Sequence, residues 1–222
     1  MTRLQRLDAP AGFELWSADL RSEPSAHERA LLSDDEHERA ARFVFERDRR
    51  RFVASRASLR RLLGERLNAD AAALRLDAGP YGKPALRDAP RCAFNLSHSE
   101  DVAWIALADD GEIGVDVEVL REMADAHDLA RRNYTAAECA QLDGAGPGLR
   151  DLAFLRCWTR KEAVLKAIGS GFSIAPETFE AGADAAPRVV PIGTEDGLAE
   201  VQLYTHAPKA MPHVIGALAR RV

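Results

Sequence analysis

Gly114-Val115-Asp116-Val117-Glu118 and Trp158-Thr159-Arg160-Lys161-Glu162-Ala163-Val164-Leu165-Lys166 are the two segments from which the rest of the chain is read. In the first, apolar residues alternate with acids. Strand side chains point to opposite faces in turn, so Ile113, Val115 and Val117 are predicted to share one face and Asp116 and Glu118 the other. In the second, Phe154, Leu155, Trp158 and Leu165 recur at helical spacing. A rotation of about 100° per residue places Glu162 inside that apolar stripe, with Lys166 at its edge one turn on. An acid on a buried stripe needs a metal, a cation or a proton as partner. Together the segments bring three carboxylates and a lysine into a setting where burial makes charge costly.

The surrounding composition is that of an ordinary globular chain. Of 222 residues, 46% are hydrophobic and 29% charged, enough for a packed core in one large domain or two small ones. The net charge of −5 argues against a dedicated nucleic-acid binder. No apolar run approaches the roughly 20 residues of a membrane span. The N-terminal Met1-Thr2-Arg3-Leu4-Gln5-Arg6-Leu7-Asp8 lacks the continuous apolar stretch of a signal peptide. Cys92, Cys139 and Cys157 are scattered and lack CxxC spacing, the pattern of reduced thiols in a cytosolic protein. The expectation is a cytoplasmic protein with neither nucleic acid nor membrane as partner.

Along the chain, Gly12 to about Leu20 reads as a strand and turn. Ser33-Asp34-Asp35-Glu36 is a capping-box pattern opening a helical region, broken or bent near Phe45 to Asp48 and running to about Leu67. Asn68 to Asp88 is loop-like, punctuated by Gly79-Pro80-Tyr81-Gly82-Lys83-Pro84. Three strand-like runs follow, Cys92 to Leu96, Val102 to Ala108 and Ile113 to Val119. Asp109-Asp110-Gly111 predicts a hairpin between the last two. Helical signal returns near Leu129 to Leu142, and Gly144-Ala145-Gly146-Pro147-Gly148 interrupts it. The helix carrying Glu162 is predicted from about Leu149 to a C-terminal cap at Gly169. Short strands in the tail include Glu200 to Thr205 and His213 to Ala219. Strands and helices cluster rather than alternate, which predicts an α+β fold.

Asp116, Glu118 and Glu162 offer only oxygen, which suits a hard ion such as Mg²⁺ and disfavours zinc. The plain alternative places Asp116 and Glu118 on the wet face of an edge hairpin and makes Glu162 and Lys166 an i,i+4 ion pair. Arg47, Arg49, Arg50, Arg51, Arg56, Arg60 and Arg61 crowd one helical stretch, and for most of them a solvated basic face is the simpler reading. Lys83 sits in a loop shaped by Gly82 and Pro84. Phe94-Asn95-Leu96-Ser97-His98-Ser99 ends an apolar strand in polar side chains suited to phosphate or ribose oxygens. Adjacent residues of an extended chain point apart, which argues against a Ser97–His98 nucleophile and base. No P-loop or G-x-G-x-x-G is present, so any phosphate site must be assembled from side chains.

At this point the chain resembles the 4′-phosphopantetheinyl transferases, specifically the longer Sfp type. Their signature is G-[IV]-D-x-E, a gap, then W-[ST]-x-K-E-x-x-x-K; here Glu162 follows Glu118 by 44 positions. The likeness extends to Tyr81-Gly82-Lys83-Pro84, to Asn95-Leu96-Ser97-His98-Ser99, and to Arg39 and Arg51, covering about Ser33 to Phe172 in the family's order. The resemblance implies transfer of the phosphopantetheine arm of coenzyme A to a serine of an apo acyl, peptidyl or aryl carrier protein, releasing 3′,5′-ADP. Fatty-acid, polyketide and peptide synthetases are all open as the system served. It also implies two similar α+β subdomains, 1–111 and 112–222, with coenzyme A between them and the site completed within a monomer. Asp116, Glu118 and Glu162 would hold Mg²⁺, Lys166 would contact the diphosphate, and Glu162 would also be the general base. His98 would contact the diphosphate or 3′-phosphate and Ser97 the nucleotide end. Lys83 with Pro84 would lie along the nucleotide, Arg39 and Arg51 near the 3′-phosphate, and Glu138 near a metal-bound water. One departure is Glu36, where the family often has a basic residue.

Two other readings compete. A catalytically weak coenzyme A or carrier-protein binder of the same fold would have no need of Asp116, Glu118, Glu162 and Lys166 together. A different Mg²⁺-dependent phosphotransferase or hydrolase acting on a free nucleotide would ordinarily bring a Gly-rich phosphate cradle.

Overall fold

In the computed structural model the described residues are 1–79, 81–89, 92–146 and 148–222, without the Phe172 side chain. Pro80 and Pro147 of the expected turns lie outside them. The chain begins with β1 (Arg3–Leu7) and β2 (Glu14–Asp19), followed by α1 (Ala26–Ala30), α2 (Asp34–Ala41) and α3 (Glu46–Leu67). The expected capping box opens α2: Ser33 Oγ accepts the Glu36 N–H and Glu36 accepts the Ser33 N–H. Ser25 and Glu28 form a second capping box that opens α1. The helical break falls between Ala41 and Glu46, just before its expected place.

A two-stranded hairpin, β3 (Leu76–Ala78) and β4 (Pro84–Leu86), occupies the stretch expected as loop. Then come β5 (Ala93–Ser99), β6 (Val102–Ala108) and β7 (Ile113–Val119). The second half continues with α4 (Ala126–Asn133), α5 (Ala136–Asp143), α6 (Arg150–Ile168), β8 (Arg188–Thr194), β9 (Gly197–His206) and β10 (Val214–Arg221). Gly169, in the left-handed region at φ 75°, ends α6 as expected.

The strands form two antiparallel four-stranded sheets, ordered β1-β2-β6-β5 and β7-β10-β9-β8. This is the α+β architecture, but the expected β6–β7 hairpin does not form. β6 already has β2 and β5 on its two edges, and β7 pairs with β10. Asp109-Asp110-Gly111 turns the chain, yet it turns it out of one sheet and into the other. Turn residues specify a change of direction, not the partner of the strand that follows.

Four layers result. α3 covers one face of the first sheet through Leu59, Leu62 and Leu63 against Phe94, Ile105 and Leu107. The other face, with Leu15, Trp104 and Ala106, meets Ile113, Val115, Val117 and Leu218 of the second sheet. On the far side, α6 packs Ala163, Val164 and Ala167 on Val190, Val201, Ala217 and Ala219. Each large apolar side chain fully buried here contributes about 1.5–3 kcal/mol. The alternation read from Gly114–Glu118 therefore holds: Val115 and Val117 face the first sheet.

Glycine sets the closeness of two of the contacts between these layers. A Cβ on Gly114 would lie 2.0 Å from Ala163 O and 2.5 Å from Ala167 N, backbone atoms of α6. A Cβ on Gly216 would meet Trp104 at 2.2 Å and Asp116 O at 2.4 Å. α6 also ties the second half together through Lys161, which is 1% exposed. Its Nζ donates to Pro176 O and Phe179 O and pairs with Glu138 at 2.7 Å. Glu138 also accepts N–H bonds from Thr135, Ala181 and Gly182. Burial pushes its pKa up, but the Lys161 charge and these bonds outweigh burial and hold it below the ordinary value. Glu138 is therefore an interior clamp with its oxygens occupied, not the acid beside a metal-bound water that the resemblance implied.

Two tests follow from this packing. Gly114→Ala is expected to cost about 1–3 kcal/mol or more, because backbone must move, and to lower the Tm by several degrees. Gly193→Ala, with nothing within 4 Å, is the control and leaves Tm unchanged; equal Tm values for both variants would refute the close-approach argument. A carboxylate with a depressed folded pKa stabilises above its ordinary pKa, and that stability is lost as pH falls through the folded value. Glu138→Gln is thus expected to cost about 3–5 kcal/mol at neutral pH and to flatten the acid limb of stability below the ordinary carboxylate range. Chemical denaturation at pH 7 and pH 3 measures it, and an unchanged acid limb would count against the clamp.

Candidate functional site

The tight seating of α6 on Gly114 brings one face of that helix against Asp116. Lys166 Nζ donates to Asp116 Oδ1 at 2.6 Å, to Ser97 Oγ at 3.0 Å and to Val115 O at 3.3 Å. Ser97 Oγ in turn donates to Asp116 Oδ1 at 2.7 Å. The other oxygen, Asp116 Oδ2, is buried with no hydrogen-bond partner among the described residues. Desolvation raises the Asp116 pKa, against the Lys166 charge and the bonds from Lys166 and Ser97.

β5 meets this site along its length. Asn95 Oδ1 accepts the Val115 N–H at 2.8 Å, and Ser99 Oγ accepts the Val119 N–H at 3.2 Å while donating to Glu118 Oε2 at 2.6 Å. Glu118 also accepts from Arg121 at 2.8 Å. Asn95, Ser97 and Ser99 are alternate residues of one strand, so their side chains share a face. They join the edge of the first sheet to the edge of the second.

Glu162 is half-buried, and among the described residues no hydrogen bond reaches its carboxylate. Burial raises its pKa, and Asp116 and Glu118 add to the rise against an opposing pull from Lys166. The three acids thus act on one another. Among the described residues, however, no three His, Cys, Asp or Glu side chains are close enough together to hold a metal ion as they stand. The donors are all oxygen and one buried carboxylate oxygen is open, so the chemistry of the set suits a hard divalent cation. In this arrangement Lys166 and Arg121 meet the charges of Asp116 and Glu118.

The remaining expected residues divide. His98 is exposed while its neighbour Ser97 is buried, so the two do point apart. Surrounding chain desolvates the imidazole, and Lys166 and Arg51 add their charges, holding its pKa below the ordinary value. Arg51 is not an open cation: it donates to Asp101 and Glu100 at 2.9 Å each. Lys83 is likewise engaged, donating to Ile113 O at 2.9 Å and Lys166 O at 2.8 Å, with burial lowering its pKa. Arg39 is exposed on α2, its guanidinium 5.2 Å from the Phe52 ring centre. Glu36 accepts from Arg60 at 2.6 Å, which explains an acid at that position.

A cavity of about 250 Å³ opens beside Lys166 and Glu162, lined by Tyr81, Lys83, Pro84 and Leu96. A larger one, about 530 Å³, lies against Val119, Arg3 and His213 and includes none of the three acids. Sequence reasoning missed Arg121, whose signal is its place three residues after Glu118. It also missed the part played by Asn95, which holds backbone rather than ligand.

Comparison with known proteins agrees with this geometry. A family model described as the 4′-phosphopantetheinyl transferase superfamily matches residues 112–213, and one described as 4′-phosphopantetheinyl transferase, N-terminal, matches residues 18–110. The chain is 40% identical over 147 residues to the 4′-phosphopantetheinyl transferase HetI of Nostoc sp., covering 65% of this chain and 62% of that protein. It is 38% identical to a putative 4′-phosphopantetheinyl transferase of Synechocystis sp. over 65% of this chain and 60% of the relative. Against Sfp of Bacillus subtilis the identity is 26%, over 72% and 70% of the two chains. The match thus spans less than two thirds of the length of the first two relatives. With both family models matched in adjoining stretches, one on each sheet, the chain belongs to the 4′-phosphopantetheinyl transferase superfamily.

Proposed function

We propose that this chain is an Sfp-type enzyme that moves the 4′-phosphopantetheine arm of coenzyme A onto a serine of an apo acyl or peptidyl carrier protein. The observation that carries the reading is the meeting of Asp116, Ser97 and Lys166 at the junction of the two sheets, with one Asp116 oxygen left open. We place the subdomain boundary at residues 111 and 112, where the chain passes from one sheet to the other. Both sides of the site come from one chain, which supports action as a monomer. No described helix is long and apolar enough to cross a membrane, and the three cysteines are free thiols. Free thiols support a reducing, cytoplasmic setting.

In this reading Asp116, Glu118 and Glu162 would hold Mg²⁺, which when bound neutralises charge on the diphosphate. Lys166 supplies a further positive charge at that group, where charge shifts toward the leaving oxygen during the reaction. The carrier serine oxygen bonds to the phosphorus bearing the pantetheine arm, and the phosphoanhydride bond breaks to release 3′,5′-ADP. Glu162 takes the serine proton. A carboxylate with a raised pKa and no hydrogen bond of its own is suited to that task. Arg39, an exposed cation, and His98, an uncharged imidazole able to donate a hydrogen bond, are the groups proposed to meet the nucleotide's phosphates. Lys83 and Arg51 act instead through the backbone and turn they hold, and the cavity beside Lys166, with Tyr81 and Pro84, is the space offered to the nucleotide.

The test is direct. The protein is mixed with coenzyme A, Mg²⁺ and apo carrier proteins, and carrier mass is read. The expected result is a phosphopantetheine adduct, with Glu162→Ala slowing transfer by about 10²–10⁴-fold or more at unchanged Tm. Coenzyme A binding without an adduct on any carrier would replace the enzyme reading with that of a binding protein.

A further inference from the structure

Lys166 stands against Asp116, the most buried of the three acids that would hold a metal. Its ammonium occupies Asp116 Oδ1, while Oδ2 of the same carboxylate, on a side chain 7% exposed, has no partner among the described residues. Glu118 carries Arg121. The acids therefore amount to three negative charges already met by two positive ones. A dication entering alone would leave this region with excess positive charge, beside an ammonium it repels. A diphosphate arriving with it restores the balance and offers the ammonium a new partner. The Lys166 side chain is 28% exposed and borders the cavity that also touches Glu162 and Tyr81, so its head has somewhere to go. Arg121, on an exposed surface, is the weaker obstacle.

We propose that Lys166 is a resident counter-cation that keeps a divalent ion off Asp116 until a diphosphate draws the ammonium away. This rests on the proposed function and deepens it: the metal enters with coenzyme A rather than before it. By linkage, each ligand raises the affinity for the other by the same factor.

Mn²⁺ binding to the whole chain, read by electron paramagnetic resonance, tests it. In the wild type, saturating coenzyme A is expected to tighten Mn²⁺ binding by about tenfold or more, after subtracting Mn²⁺ held by coenzyme A alone. A metal bridging directly to the diphosphate would couple the two ligands in any variant. The decisive number is therefore Mn²⁺ affinity without coenzyme A. Lys166→Met and Lys166→Gln are expected to raise it about tenfold, whereas Lys166→Arg, which keeps the charge, does not. A merely structural lysine would not produce that gain. Unchanged or weaker Mn²⁺ binding in the folded neutral variants overturns the proposal and leaves the functional reading standing. A wild type that binds no Mn²⁺ even with coenzyme A present overturns both.

Discussion

An edge strand presents a row of backbone N–H groups with nothing beside it, and β7 is such a strand. Here side chains of another sheet meet part of that row: Asn95 and Ser99 accept the N–H groups of Val115 and Val119. A buried N–H left without a partner costs about 1–3 kcal/mol, so the two sheets are held in one register by that penalty as much as by their apolar contact. Ser97, between Asn95 and Ser99 on the same face, donates to the Asp116 carboxylate rather than accepting from backbone. The seam that joins the halves is thus also the wall of the site.

The opposite wall depends on an absence. Gly114 has no Cβ, and the α6 backbone occupies the space one would take. This closeness lets Lys166, whose side chain must span from helix to strand, bond Val115 O and Asp116 together. Lys83 then closes the arrangement from behind by bonding the Lys166 carbonyl and the Ile113 carbonyl at the start of β7. The β3–β4 hairpin, β7 and α6 are fixed to one another by one ammonium, with no charged partner required.

What the sequence revealed and what it concealed divide along a physical line. Local rules were legible: the Ser33–Glu36 box, the alternation of Gly114–Glu118 and the Gly169 cap each depend on residues a few positions apart. The β6–β7 hairpin failed because sheet membership was decided by β10, some hundred residues on by chain order, rather than by the turn. The resemblance placed Lys83 and Arg51 along a nucleotide; what spacing did not show is that carbonyls and carboxylates distant in sequence also hold them. The positions of Asp116, Ser97 and Lys166 as neighbours were likewise invisible to spacing. Their identities were readable only as chemistry that needed a common place.

Two lysines of α6 show how a structural ion pair differs from a reactive one. Lys161 and Lys166 each bond a carboxylate at nearly the same distance, 2.7 and 2.6 Å. Five positions apart on a helix, they point to different sides. The Lys161–Glu138 pair is closed: the ammonium also holds two carbonyls, and the carboxylate accepts three backbone N–H groups. Removing either partner strands a charge, and no ligand could improve the bonding. In the Lys166–Asp116 pair one carboxylate oxygen is unbonded among the described residues and the ammonium borders open space. Distance and charge are alike in the two pairs. Bonding capacity left unused is what separates a site able to take a ligand from a clamp that holds the fold.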